Sequence, residues 1–417
     1  MFKIINSNKL NLFLILLSFL LFFLGFVTQE NAAGGGVTDF SHIYKNFLLI
    51  KNTEFLNIDW SKYESTSLPI YYLIIKYVIP QNQIFFFKLF TFLVSLFCPI
   101  IFYLALKFKY KIKKFNYKLY LASCLILLSP YFRTSGFYGL EENYGYLFLL
   151  LSALFFFYSN NKNIYLNILS IFFSSLAFYT RQNYCFLPII IYFSLFNFKN
   201  IFDYRNIVYT ISSVIFLIPS LYFFVVWQGI TPPLAQVERS LEFRFDNLIK
   251  IFSIVFIYIF PVYIFYFDKK FSFLKRNFLY LFLSWVFFLI LCFQININLA
   301  PVGGGVFFKL FLFFKINFLS KIFIYTISFL GFLLICYISY KNKYLLIYFI
   351  ITIIGFSLPE IIFQEYFDPL TLIVIILFST NQYLSSSNSN KFVLFLFGYY
   401  FVFLIFSIFY HNANQII

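Results

Sequence analysis

Long apolar runs alternate with short polar or basic connections along nearly the whole chain. The runs are about 15 to 24 residues long, and about 20 apolar residues carry a helix across a hydrocarbon core. Lipid offers the backbone no hydrogen-bond partners, and runs without period-two alternation predict helices rather than a barrel. The predicted elements begin with Leu10 to Val27, then Leu68 to Ile79, too short to span comfortably and read as lying in the interface. Ile84 to Leu106, Tyr120 to Tyr131, Tyr144 to Tyr158, Ile164 to Tyr179, a span from Tyr184 and Ile207 to Trp227 follow. The later runs are Ile249 to Phe267, Phe278 to Phe293, Ile322 to Tyr340, Tyr344 to Phe363, Pro369 to Phe378 and Phe392 to Tyr410. The pattern predicts an all-α polytopic membrane protein of about 12 or 13 spans, with residues 1–417 as one membrane domain.

Two polar stretches break the pattern. Residues 28–66 form a long first connection that includes a Gly triplet and the carboxylates Glu30, Asp39, Glu54, Asp59 and Glu64. Residues 228–248 form the second. The run Lys107-Phe-Lys-Tyr-Lys-Ile-Lys-Lys, continued by Lys118, marks a cytoplasmic end under the positive-inside rule. With that anchor, both polar connections fall outside the membrane. Of the 15 acidic residues, Asp203 and Asp268 alone fall on the cytoplasmic side. Acidic residues contribute little to orientation, so their segregation points to an active outer face.

Composition sharpens this. The chain is 62% hydrophobic and 11% charged, where soluble domains carry about 25% charged residues. The formal charge of +16 comes from lysines scattered between apolar runs, which report topology and not a nucleic-acid surface. Leu10 to Val27 follows a basic start and precedes small residues, as in a signal peptide, but its length favours a retained span. Cys98, Cys124, Cys185, Cys292 and Cys336 lie in apolar runs without metal-ligand spacing and read as packed thiols. The wealth of Phe, Ile, Lys, Asn and Tyr fits an A+T-rich genome.

The outer connections hold the polar groups capable of chemistry. Asp39 follows the first span closely, where a carboxylate can take a proton from a hydroxyl presented at the membrane surface, and His42 lies just beyond it. Glu141 and Glu142 precede a span, where one can face a site and the other can cap the helix. Arg181, Gln182 and Asn183 form a donor cluster suited to phosphate oxygens, although an arginine there can also simply snorkel. Trp227, ahead of a Pro-Pro turn, can stack on a sugar ring or anchor the interface; Glu238, Arg239, Arg244 and Asp246 follow. Gln364 to Pro369 is a weaker candidate. Walker A, GxSxG and HExxH motifs are absent, and charges deep within spans are nearly lacking, unlike in ion pumps.

These elements resemble the GT-C superfamily of polyprenyl-phosphate-sugar-dependent glycosyltransferases, and more narrowly the α-1,2-glucosyltransferase family that adds the last glucose in N-glycan precursor assembly. TDFSHIYKNF and DWSKYESTSLPIYYL are similar to that family's acidic first loop, FYGLEENYGYL to its glutamate-headed span, AFYTRQNYCFLP to its Phe-Arg-Gln-Thr-Asn motif and VVWQGITPPL to the segment that follows. The collinear likeness runs from about Val27 to Leu234. The family's acidic pair is here Asp39-Phe40, and Ile70 replaces the glycine of its Leu-Pro-Gly.

The resemblance implies an inverting transferase moving a hexose, glucose by analogy, from a polyprenyl- or dolichyl-phosphate donor to a glycan or lipid-linked acceptor. It casts Asp39 as the base and Arg181, Gln182 and Asn183 as donor-phosphate ligands, with His42, Glu64, Glu141, Glu142 and Trp227 binding substrate. No cofactor is required, because the donor carries its own leaving group. Expected partners are membrane lipids, the lipid-linked donor and the glycan acceptor, without nucleic acid. A bacterial inner membrane with a periplasmic active site fits the composition best, with the endoplasmic reticulum as the alternative. A transporter or flippase of lipid-linked saccharides is the competing function, and it predicts intramembrane charges and repeat symmetry.

Overall fold

The computed structural model describes residues 7–65, 67–79, 83–234, 242–264, 278–295, 303–313, 318–340, 342–379, 384 and 389–413. Among these residues the secondary structure is helical throughout, and the chain is an all-α membrane protein. Among the described residues, six helices are long and apolar enough to cross a membrane, where the run lengths along the whole chain predict about 12 or 13 spans. The remaining apolar runs fold as shorter helices. Tyr120 to Tyr131, expected as one span, breaks into a helix, a 3-10 turn and a new helix that starts at Pro130, where Ser129 Oγ accepts from the Phe132 amide at 3.1 Å.

Where the hydrophobic pattern suggests one domain, the residues group into two compact units, 1–238 with 382–417, and 239–381. The first holds α1 (Ser7–Val27), α2 (Gly36–Lys51), α3 (Ile70–Val78), α4 (Ile84–Lys109), α5 (Tyr117–Cys124), α6 (Pro130–Tyr138), α7 (Glu142–Ser159), α8 (Ile164–Thr180), α9 (Phe186–Leu195) and α10 (Tyr204–Val226). The second holds α11 (Phe245–Ile264), α12 (Phe278–Gln294), α13 (Gly305–Phe313), α14 (Phe318–Ser339), α15 (Lys343–Phe356) and α16 (Leu370–Phe378). The last helix, α17 (Ser389–Ala413), returns to the first unit.

The first unit is centred on α4, α7 and α8. Helices in lipid gain little from hydrophobicity against each other, so close approach and polar interlocks hold them. Ser152 and Ser170 each donate to the other's backbone carbonyl at 2.9 Å, clasping α7 to α8. Asn143 donates to Ser95 Oγ at 2.6 Å, joining α7 to α4. Asn160 and Asn161 adopt left-handed backbone in the α7–α8 turn, and Asn163 caps α8 by accepting from the amides of Tyr165 and Leu166.

Hydrogen bonds between distant segments sort this unit's connections into two ends. At one end Lys88 Nζ donates to Gln29 Oε1 (2.5 Å), Ser407 Oγ to Ala32 O (2.7 Å) and Tyr71 OH to Gly139 O (2.7 Å). At the other, Asn11 Nδ2 donates to Asn390 Oδ1 (2.8 Å), Lys118 to Ser389, and Arg205 Nη1 to Asn161 O (3.4 Å). The second end carries Lys107, Lys109, Lys111, Lys113, Lys114, Lys118, Lys162, Lys199 and Arg205, against Asp203 as the acidic residue. The first end gathers Glu30, Asp39, Glu54, Asp59, Glu64, Glu141 and Glu142.

The first polar connection is folded rather than looped. Its centre is α2, in which Phe40, Ile43, Phe47 and Ile50 recur at helical spacing and are buried. The predicted interfacial segment is the short α3, which buries Tyr71, Tyr72 and Ile75.

Candidate functional site

The Gly triplet explains how α2 begins. Gly34 and Gly35 hold φ of +73° and +72°, a region that side chains with a Cβ avoid, and a Cβ on Gly36 would lie 2.7 Å from the Tyr138 ring. The chain thus turns tightly under α6 and launches α2 from its acidic end. Asp39 sits exposed in the first turn, where the helix dipole favours a carboxylate. One turn on, His42 Nδ1 meets Glu64 Oε2 at 2.9 Å, and Lys45 Nζ lies 3.9 Å from Glu64 Oε1. The buried Asn46 accepts from the Glu64 amide (3.0 Å) and donates to Tyr72 OH (3.4 Å).

The second part is built at the α6–α7 turn. Gly139, with φ +77°, ends α6 and allows the chain to place Glu141 just before α7 and Glu142 at its first position. Arg181 lies in extended backbone immediately after α8. Its Nη2 donates to Glu142 Oε1, and its Nε is 3.9 Å from Glu141 Oε1. Ser67 Oγ donates to Glu141 Oε1, and Ser135 Oγ to Glu142 Oε2 at 3.0 Å. The buried Tyr63 hydroxyl donates to Ser67 O at 2.9 Å. Burial holds the Tyr63 and Tyr72 hydroxyls above the ordinary tyrosine range, and the Glu141 charge pushes them further the same way. Both therefore stay protonated, Tyr63 donating to Ser67 O and Tyr72 accepting from Asn46.

The third part closes beside Arg181. Gln182 Nε2 donates to Ile230 O at 2.8 Å, tying the end of α8 to the turn after α10. Asn183 Oδ1 is buried without a hydrogen-bond partner among the described residues. Trp227 departs from the expected exposed sugar platform: it is 2% exposed and stacks on Tyr63, with centroids 6.0 Å apart and planes 14° from parallel. Its apolar surface is consumed by packing on Tyr63 and Phe223.

Most of the residues singled out from sequence are thus brought to one end of the first unit, in an order that local pattern does not give. Glu141 and Glu142 both turn toward Arg181, instead of one facing a site and the other capping. Arg181 is engaged by carboxylates, so a phosphate there would compete with them. Asp39 lies on the exposed face of α2 that also carries His42.

Sequence reasoning passed over Arg133. It is 1% exposed and donates through Nε and Nη2 to Glu30 at 2.7 and 2.6 Å, and to the carbonyls of Leu127 and Leu21. A lone arginine in the apolar stretch Tyr131-Phe-Arg-Thr-Ser-Gly-Phe-Tyr was the available signal, since such a charge in a membrane protein needs a partner.

The later candidates that the structure describes belong to the second unit. Asp246 pairs with Lys250 at 2.7 Å within α11. Gln364 accepts from the Val306 amide and donates to Tyr258 OH, both at 2.9 Å, so it reads as a structural tie. Arg244 donates through its amide to Ser357 O at 2.8 Å. Glu238 and Arg239 lie outside the described residues. No group of three or more His, Cys, Asp or Glu positioned for a metal ion occurs among the described residues.

Searches of protein-family models, curated proteins and solved structures find no match to this chain.

Proposed function

We propose that the chain is a GT-C-type glycosyltransferase that moves a hexose, glucose by family resemblance, from a polyprenyl-phosphate donor to a glycan or lipid-linked acceptor outside the membrane. One observation carries the reading. Five segments far apart in sequence, around His42, Glu64, Glu141, Arg181 and Ile230, converge on one network of carboxylates, hydroxyls and a guanidinium at the less basic end of a membrane bundle. The opposite end carries the lysine run that the positive-inside rule assigns to the cytoplasm, so the network faces outward.

Carboxylates held by neighbouring hydroxyls and an arginine are suited to gripping sugar hydroxyls. Glu141 and Glu142 bind the sugar or orient the acceptor, and Arg181 fixes both. Its positive charge also offsets part of the negative charge that builds on the departing phosphate, acting through the network rather than as a dedicated phosphate clamp. The exposed face of α2, with Asp39 and His42 one turn apart, supplies the proton acceptor. The acceptor oxygen bonds to the anomeric carbon as the carbon–oxygen bond to phosphate breaks, and the polyprenyl phosphate leaves with the electron pair.

The experiment is transfer of radiolabelled glucose from synthetic polyprenyl-phosphate glucose to a lipid extract of the native host by purified protein. Label appearing in extractable product supports the reading; folded protein that moves no label speaks for transport.

A further inference from the structure

His42 and Glu64 come from different segments, and their contact at 2.9 Å joins α2 to the stretch before α3. An ionised carboxylate only accepts hydrogen bonds, so Nδ1, 2.9 Å from Glu64 Oε2, carries the ring proton and the lone pair lies on Nε2. The His42 side chain is 56% exposed and that of Glu64 33%, which makes Nε2 the nitrogen a substrate hydroxyl can reach. Glu64 is itself fixed: its amide donates to the buried Asn46, whose Nδ2 reaches Tyr72, and Tyr72 packs edge-on against Tyr63 in the framework that holds Glu141. The charged groups on the segments around the imidazole are Asp39, Lys45 and Lys51 on α2, then Glu54, the Asp59–Lys62 pair and Glu64 itself.

We propose that His42 is the proton acceptor of the transfer reaction and that Glu64 is its positioning residue. This rests on the glycosyltransferase reading above. The acceptor hydroxyl gives its proton to His42 Nε2 as its oxygen bonds to the anomeric carbon. The bond from that carbon to the phosphate oxygen breaks, its electron pair leaves with the polyprenyl phosphate, and the imidazolium is stabilised through Nδ1–H by the Glu64 carboxylate. The proton then passes to water.

The test is the pH dependence of kcat/KM for transfer from radiolabelled polyprenyl-phosphate glucose into native lipid extract. Wild type, His42→Gln, Glu64→Gln and Glu64→Asp are compared, each checked for an unchanged thermal unfolding midpoint. Wild-type activity is expected to fall on acidification, because a protonated imidazole cannot take the acceptor's proton. His42→Gln should lose at least about a hundredfold in kcat and with it that acid limb, the scale of a lost general base. Glu64→Gln should lose about tenfold in kcat at unchanged donor KM, with Glu64→Asp recovering part of it. A His42→Gln protein within about twofold of wild type, with the same profile, overturns the assignment and leaves the transferase reading intact, the proton then going to a carboxylate such as Asp39. Folded wild type that transfers no label overturns both.

Discussion

Arg133 grips Glu30 with two parallel hydrogen bonds, Nε to Oε1 at 2.7 Å and Nη2 to Oε2 at 2.6 Å, joining α6 to the residues just after α1. The guanidinium lies over the rings of Phe22 and Phe137, and Gly25 leaves room for it: a Cβ there would sit 2.4 Å from Nη2. Removing one partner strands a buried charge, which costs about 3–5 kcal/mol. Arg133→Ala should therefore lower the thermal unfolding midpoint in detergent strongly. Adding Glu30→Gln should cost less than the sum of the single changes, because no charge is then left unpaired.

Arg181 offers a different contrast, because it is half-buried and sits between two glutamates. Arg181→Ala leaves two adjacent carboxylates without their counter-charge. We expect transfer to fall by about a hundredfold or more, mostly in kcat, and the unfolding midpoint to drop, since Glu141 is buried. Arg181→Lys should recover little, since an ammonium cannot span both carboxylates as a guanidinium does. Steady-state kinetics on the three proteins decide it.

Trp227 is expected to matter for stability and not for sugar affinity. Its ring is buried against Tyr63 and Phe223, so Trp227→Ala should cost about 3–5 kcal/mol. Trp227→Phe should retain most stability and an unchanged donor KM. A raised KM at unchanged stability would restore the platform role.

Gly36 tests the start of α2. A Cβ there meets the Tyr138 ring at 2.7 Å and Thr134 Cγ2 at 2.9 Å, so Gly36→Ala should destabilise by about 1–3 kcal/mol, read from the unfolding midpoint. Because the strain falls at the base of the helix that carries Asp39 and His42, kcat should fall with it.

The fold class was legible because run length and aromatic-rich hydrophobicity speak to lipid directly. The helix within the first polar connection was also written there, in Phe40, Ile43, Phe47 and Ile50, but the polar residues between them masked the period. The number of spans was less legible: an apolar run such as Tyr120 to Tyr131 scores alike whether it folds as one helix or breaks at Ser129-Pro130. His42, Glu64, Glu141 and Arg181 could each be picked as polar groups at the ends of apolar runs. Their pairings could not, because His42 meets Glu64 across 22 residues and Arg181 meets Glu142 across 39, distances to which no local pattern extends. Trp227 shows the same limit from the other side, since whether an aromatic ring is covered depends on a distant tyrosine.

The most direct measurement is transfer of radiolabelled sugar from polyprenyl-phosphate glucose, mannose and aminoarabinose donors into native lipid extract, by wild type and by Glu141→Gln. Glu141 lies at the centre of the network, accepting from Ser67 and facing Arg181. The account predicts label in product with wild type for at least one donor, and a loss of about a hundredfold or more in the variant. No transfer from any donor by folded wild type, or equal transfer by the variant, would contradict it.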